Sequence, residues 1–388
     1  MTSVTEALVE RVRRRLAADA AAPSPENVAR ALRAEPGVLG PDTVLAVVDQ
    51  VRHDTGGAGV LEPLLGLPGV TDVLVNGADS VHVDRGDGLE PVDVRFADEA
   101  EVRRLAQRLA ALAGRRLDDA SPWVDARLPD GTRLHAVLAP IAQPGTVVSL
   151  RVPSRRSLSL DDLVAAGSLT TAGADVLRGI VASRAAFVVS GGTGSGKTTL
   201  LAALLAEVPG HERLVVVEDA AELRPRHPHV VGLEARPANV EGRGAVDLRD
   251  LVRQALRMRP DRLVVGEVRG AEVVDLLAAL NTGHEGGCGT IHANSASDVP
   301  ARFEALALTA GLPREALHAQ LAAGLDLVVH VRRDHRGRRV VDHVGVLAPG
   351  ADRLVDCVPA LTFGPDGVRE GPGHEALRAV LGRGEARR

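Results

Sequence analysis

The sequence predicts a chain of the α/β class, in which a parallel-sheet domain follows a small α+β domain and a short helical segment. Three observations predict it. From about residue 166 onward, short apolar, β-branched runs alternate with helix-forming stretches, the order that lays strands side by side in parallel. From Leu61 to Val152, brief alternating runs separated by turns surround one helical stretch. Before that, the apolar spacing is helical and is broken by turns that contain proline.

Residues 1–56 read as short helices over 4–18, 25–32 and 41–53, and Gly56, Gly57 and Gly59 then loosen the chain into a linker. Residues 57–152 read as the small α+β domain. Its strands are expected at 70–77, 81–83, 92–96, 124–128, 132–138 and 146–152, and its helix at 100–113. Pro129, Asp130 and Gly131 mark a hairpin turn. Residues 153–165 read as a second linker, and residues 166–349 as the α/β domain, which opens on a helix from 171 to about 184. It closes on a hairpin, 325–332 and 338–346, across His335, Arg336 and Gly337. Residues 350–388 are polar and punctuated by Gly and Pro, and are expected to form a loosely structured tail.

Composition narrows the classes of function. A length of 388 residues suits two or three domains. Apolar content of 45% is enough for globular cores, and aromatics at 1% with no tyrosine mean cores of Val, Leu and Ala. A net charge of -5 gives no overall pull toward nucleic acid. Two cysteines with no C-x-x-C pair point to a reducing compartment and no disulfide framework. No apolar run approaches the roughly 18–20 residues that span a bilayer, and the N-terminus lacks the apolar core of a secretory signal. Direct membrane insertion is not expected, so a membrane role would run through a partner.

The strongest local signal is the lysine. Of 46 basic residues one alone, Lys197, is lysine, and it lies in Gly191-Gly192-Thr193-Gly194-Ser195-Gly196-Lys197-Thr198. This is the G-x-x-x-x-G-K-[ST] loop, where a compact ammonium on a flexible stem reaches nucleotide phosphates that arginine's planar fork fits poorly. The run 185–190 before it reads as a buried strand and 198–208 after it as a helix. In that setting backbone N–H groups and the positive helix end face phosphate. Thr198 would ligate Mg²⁺, and Thr199 follows it in the helix.

Two acidic strand ends come next. Leu214 to Val217 lead into Glu218 and Asp219, with Glu222 nearby, and Leu263 to Gly266 lead into Glu267. Strand C-termini in an open α/β sheet converge on the ligand crevice, where one carboxylate can hold Mg²⁺ through water and another can orient an attacking water. His284, Cys288 and His292 are spaced by four, but Gly286, Gly287 and Gly289 argue against one helix face, and so against a zinc site. A histidine contacting the γ-phosphate or the attacking water is the sharper reading, a core histidine ending a strand the plainer one.

The ordered set GGTGSGKTT, LVVVEDAAEL, LRMRPDRLVVGEVRG and NTGHEGGCGTIHANS resembles the secretion ATPase superfamily of type II secretion, type IV pili, type IV secretion and Tad/Flp pili. The run from Leu256 to Arg262 and the loop from Glu241 to Gly244 look most like the Tad/Flp-pilus branch, including actinobacterial members associated with conjugal transfer. With two cysteines the chain cannot build the four-cysteine zinc module frequent in the type II and pilus-extension branches. The resemblance implies a RecA-like P-loop ATPase domain, preceded by a PAS-like α+β domain, using ATP and Mg²⁺. It implies a homo-hexamer, cytoplasmic and peripheral at the inner face of the membrane, driving pilus assembly or secretion through an inner-membrane platform protein. A type IV secretion or conjugative DNA-transfer motor is the alternative. A RecA-like motor acting directly on nucleic acid is disfavoured by the charge balance and the scarcity of aromatics.

By position, the resemblance gives Gly191 to Thr199 to the nucleotide, Glu267 to the catalytic water, and Glu218 and Asp219 to the acidic box. Mg²⁺ would fall to Thr198, Glu267 and Asp219, partly through water. His292 is the box histidine, with His284 its less certain neighbour. Arg151, Arg155 and Arg156 stand after the first domain and Arg257, Arg259 and Arg269 flank the Glu267 strand. Arg151 is the arginine expected to reach nucleotide, where it would stabilise developing charge. Because Lys197 is the sole lysine, an amine-directed reagent is expected to modify only Lys197 and the N-terminus. MgATP should protect Lys197; peptide mapping that finds its labelling unchanged by MgATP removes the loop as a phosphate site.

Overall fold

The computed structural model describes residues 25–35, 57–86, 88–153, 157–239, 242–364 and 367–383, with positions 8, 11, 12, 14, 15, 18, 40 and 47. Of the helices expected at 4–18 and 41–53 only positions 8, 11, 12, 14, 15, 18 and 47 are described, each helical, and the rest of both, together with Arg155, Arg156 and Glu241, lies outside the described residues. The helix expected at 25–32 is Pro25–Arg33. The chain divides into two compact units between Pro153 and Ser154.

In the first unit, β1 (Asp72–Asn76), β2 (Val81–Asp84), β3 (Leu89–Val92), β4 (Trp123–Arg127), β5 (Arg133–Val137) and β6 (Val147–Arg151) form one sheet in the order β3-β2-β1-β6-β5-β4. Every neighbouring pair is antiparallel. The helix Glu99–Leu112 starts at Asp98, whose side chain accepts from Glu101 N at 2.7 Å, a good N-cap. Its apolar stripe of Val102, Leu105 and Leu109 buries against Val73, Val83, Leu134 and Leu150. The strand expected at 92–96 ends instead at Val92. Val92 pairs with Val81, the first residue of β2, so no partner strand remains beyond it, and Phe96 turns into the core.

The second unit holds β7 (Phe187–Gly191), β8 (Leu214–Glu218), β9 (Val230–Glu234), β10 (Arg262–Val268), β11 (Cys288–His292), β12 (Leu327–Arg333), β13 (Arg339–Pro349), β14 (Val355–Gly364) and β15 (Gly367–Glu370). They form a single sheet in the order β15-β14-β13-β12-β7-β11-β10-β8-β9. From β12 to β9 the pairing is parallel, and from β12 to β15 antiparallel. Both faces are covered, which is why β7 and β8 read as continuous apolar runs rather than alternating ones.

Two expectations change here. Residues 160–165, read as part of a linker, form the helix Leu160–Ala165 with a capping box at Ser159, and Leu160 and Leu163 are buried in the second unit's core. Residues 350–388, read as a loose tail, supply β14, β15 and the helix His374–Gly382. Phe363, Leu377 and Val380 pack in the same core as the leucines of the helix Lys197–Ala206. Their glycines and prolines punctuate turns between apolar stretches that have a large sheet to pack on.

At the N-terminal edge of the parallel strands a buried ion network ties the elements together. Arg262, 1% exposed, donates through Nε to Glu212 at 2.7 Å and through Nη2 to the Val181 carbonyl at 3.0 Å. Arg184 holds the other oxygen of Glu212 at 2.8 Å and the Asp261 carbonyl at 2.9 Å. Removing one partner of a buried pair strands the other charge, at a cost of about 3–5 kcal/mol. Chemical denaturation should therefore show Glu212→Ala, which leaves buried Arg262 without a carboxylate, losing stability on that scale, whereas replacing Arg262 and Glu212 together by methionine should cost much less.

Candidate functional site

The opposite, C-terminal edge of the parallel strands gathers most of the residues singled out in the sequence. β7 ends at Gly191 and the chain turns through residues 192–196 into the helix Lys197–Ala206. Gly191 runs so close to β12 that a Cβ there would collide with the Val331 carbonyl and lie 2.6 Å from Ser195 Oγ; only glycine fits. Ser195 Oγ donates to the Gly192 carbonyl at 2.8 Å and closes the loop on itself. Lys197 Nζ donates to the carbonyls of Gly191 and Gly192, both at 3.0 Å. Burial pushes this ammonium below its ordinary value, with Glu267 working against the shift and Arg269 adding to it. Thr198 and Thr199 lie half-buried in the first turn of the helix.

β11 lies beside β7 with His292 opposite Gly191, which sets this half-buried residue at the strand end where the loop begins. β10 follows, and its register with β11 slips between Val265 and Val268. That irregularity spans Gly266 and Glu267, and Thr290 Oγ1 donates to the Gly266 carbonyl at 2.7 Å. Glu267 accepts an ion-paired hydrogen bond from Arg269. Buried Glu272, at the start of the helix Glu272–Leu280, accepts from the backbone N–H groups of Arg269 at 2.5 Å and Gly270 at 2.8 Å, and so fixes where Arg269 stands.

Glu218 ends β8 but is 6% exposed, and one of its oxygens accepts from the N–H groups of Glu222 at 3.1 Å and Leu223 at 3.0 Å. The lack of a side chain at Gly266 makes room for it, since a Cβ there would sit 2.5 Å from Glu218 Cγ. Burial raises its pKa to about 7, reinforced by Glu222 and Glu234 and opposed by the two N–H donors. Glu218 therefore holds the loop that follows it, while Asp219 next door is exposed.

The remaining sequence candidates scatter. The helix Glu272–Leu280 returns the chain to the start of β11, so His284, which contacts the Ala279 carbonyl at 3.3 Å, stands at the far edge of the sheet from His292. Arg257 and Arg259 precede β10 and share that far edge. Arg151 ends β6, exposed, in the first unit, whereas the constellation described here forms within the second. Among the described residues no group of His, Cys, Asp and Glu could hold a metal by itself. Cys288 is buried, its thiol pushed up to about 12.

Sequence reasoning missed Arg333 and Arg339. Arg339 Nε donates to the Gly194 carbonyl at 3.0 Å, and Arg333 Nη2 would lie 3.5 Å from a Cβ on Gly194. Five arginines fall within residues 332–339, but arginine is the default cation of this chain, so their density carried no signal.

The family model described as type II/IV secretion system protein matches residues 54–347. The chain belongs to the type II/IV secretion system protein family. It is 59% identical over 323 residues to a Mycobacterium tuberculosis (strain H37Rv) protein whose name associates it with conjugal transfer, covering 82% of this chain and 92% of that one. It is 34% identical over 314 residues to the type IV secretion system protein PtlH of Bordetella pertussis, covering 73% of this chain and 92% of that one. The structure of the pilus retraction motor PilT with bound ADP superposes with a TM-score of 0.52 at 23% identity, covering 74% of this chain and 81% of that one. That likeness is one of fold, and the second unit is accordingly a RecA-like P-loop domain of this family. No helix among the described residues is long and apolar enough to cross a membrane.

Because the folded state binds the Glu218 proton more tightly than a free carboxyl does, stability falls as pH rises from about 4.5 through about 7. Glu218→Gln should flatten that part of the profile. Melting temperatures of both proteins from pH 5 to pH 8 check this, and parallel curves would remove Glu218 as the source.

Proposed function

We propose that this family member hydrolyses ATP in its second unit and uses the energy to drive a secretion, conjugal-transfer or pilus-assembly machine. The observation that carries the reading is the half-buried ammonium of Lys197, held on the carbonyls of its own glycine loop, with Glu267 near enough to act on its charge. The residues fit a triphosphate. A Cβ on Gly192 would meet nothing within 4 Å, so the loop has open space beside it, and the lysine donors rest on carbonyls that phosphate oxygens can replace. Bound Mg²⁺ would supply charge at those oxygens, held by Thr198 with Glu267 and Asp219 through water.

In this reading Lys197 and the loop bind the phosphates, and the Glu267 carboxylate orients water toward the γ-phosphate once Arg269 releases it. His292 senses that end of the nucleotide from the mouth of the loop. Glu218 keeps the following loop in shape, so that Asp219 faces the site. Arg151 reaches nucleotide across subunits of a homo-hexameric ring, which works in the cytoplasm against an inner-membrane platform protein. The sequence features from Leu256 to Arg262 support a Tad/Flp-type pilus as the machine. Relatives named for conjugal transfer and type IV secretion support the alternative, a type IV or conjugative motor.

The test is ATP turnover per subunit over a protein concentration series, with Lys197→Ala as blank. Specific activity that climbs with concentration supports a ring with shared catalytic groups. Glu267→Gln should still bind ATP while turnover falls about 10²-fold or more; near-normal turnover in that variant would take Glu267 out of the mechanism.

A further inference from the structure

The hairpin of β12 and β13 is joined to the phosphate loop from both sides. At its base β12 pairs with β7 in parallel register, Val331 opposite Gly191, with no space for a side chain on Gly191. One residue earlier, buried His330 Nδ1 meets Ser190 Oγ at 2.9 Å, and the His343 ring lies 5.3 Å from the His330 ring. Asp342 holds His343 at 2.9 Å and Arg332 at 2.5 Å.

The tip is tied by hydrogen bonds as well. Asp334 accepts from the N–H groups of Arg336 at 2.8 Å and Arg338 at 2.9 Å and from Arg338 Nε at 2.9 Å. Arg333 Nη1 donates to the Gly337 carbonyl at 3.2 Å. From this frame Arg339, paired in register with Arg333, extends across 145 positions of sequence to the Gly194 carbonyl. Its Cδ would lie 3.4 Å from a Cβ on Gly196. Gly194 adopts a left-handed φ of 67°, so its carbonyl is fixed by the turn and Arg339 caps it.

We propose that Arg339 is a positioning residue that latches the glycine loop in its phosphate-receiving shape, with the β12–β13 hairpin as the frame that holds the latch. The latch rests on the reading of this loop as a nucleotide site. It acts on a loop carbonyl, on the face from which the main chain accepts hydrogen bonds, and phosphate is received by the N–H groups and Lys197. Its contribution is preorganisation: a loop already shaped gives up less conformational freedom when a ligand arrives. Any ligand that fills the loop with phosphates gains equally, whatever else it carries.

The experiment measures Kd for ATP, ADP and inorganic tripolyphosphate, each with Mg²⁺, in the full chain and in Arg339→Ala and Arg339→Gln, with melting temperature without ligand as the control for folding. The expected result is a loss of about tenfold, close to 1.4 kcal/mol, that is similar for all three ligands. In turnover the loss falls on KM far more than on kcat. A loss confined to ATP and ADP means that Arg339 contacts base or ribose, and overturns the latch. So does a loss confined to ATP and tripolyphosphate with a matching fall in kcat, which means a γ-phosphate contact. Unchanged affinities in variants that fold also overturn it, and leave the nucleotide reading intact. Absence of binding by the parent chain would instead remove the reading on which the latch rests.

Discussion

The organising constraint of the second unit is a cation kept partly out of water on main-chain carbonyls. Lys197 has two acceptors, at Gly191 and Gly192, and both belong to the turn that presents it. For that turn to exist, β7 must end against β12 with no side chain in the way and the helix must begin at Lys197, while the Glu267 carboxylate opposes the downward push of burial on the ammonium's pKa. The glycine at 191, the apolar strands to either side and the bulge that carries Glu267 all serve that requirement.

The two edges of the parallel sheet do different work. At the N-terminal edge Arg262 and Glu212, both buried, and the half-buried Arg184 close a paired network on backbone carbonyls. At the C-terminal edge the charges are half-exposed and shared: Arg269 faces Glu267, and also acts on Asp219 and Glu222. The first arrangement is held fixed by its buried centre, since losing Glu212 would leave the buried Arg262 charge without a carboxylate. The second can rearrange when phosphates arrive, because each of its charges keeps some access to water and more than one partner of opposite sign. The fixed edge gives the adaptable one a frame.

Much of the site was legible because its chemistry is local. A glycine loop between a strand and a helix, and acids at the ends of apolar strands, are patterns of neighbouring residues, and the structure places Lys197, Glu267, Asp219 and His292 along one edge. What was not legible depends on distance in the chain. His284 looks like a companion of His292 eight positions away, yet the helix before it delivers it to the other edge. Glu218 reads as an acid at a strand end turned to the ligand crevice, but a glycine on the next strand opens a recess that takes its side chain inside. Arg339 lay hidden among the many arginines of this chain. Residues 355–382 looked too polar to pack, although their apolar positions alternate well enough to extend the sheet and cover it.

The sequence by itself determined the class of fold, the strand–loop–helix unit that presents Lys197, and the family, because each follows from residue types at short fixed spacing. Tertiary structure decided which acid is buried, which arginine meets the loop, and that the last strands and helix belong to the core. Those outcomes depend on parallel strands, which pair residues far apart in the chain and bring their C-terminal ends to one edge. Short-range periodicity contains no term for that pairing. The hydrogen bond from Arg339 to Gly194 spans 145 positions, and no shorter stretch of this chain could have announced it.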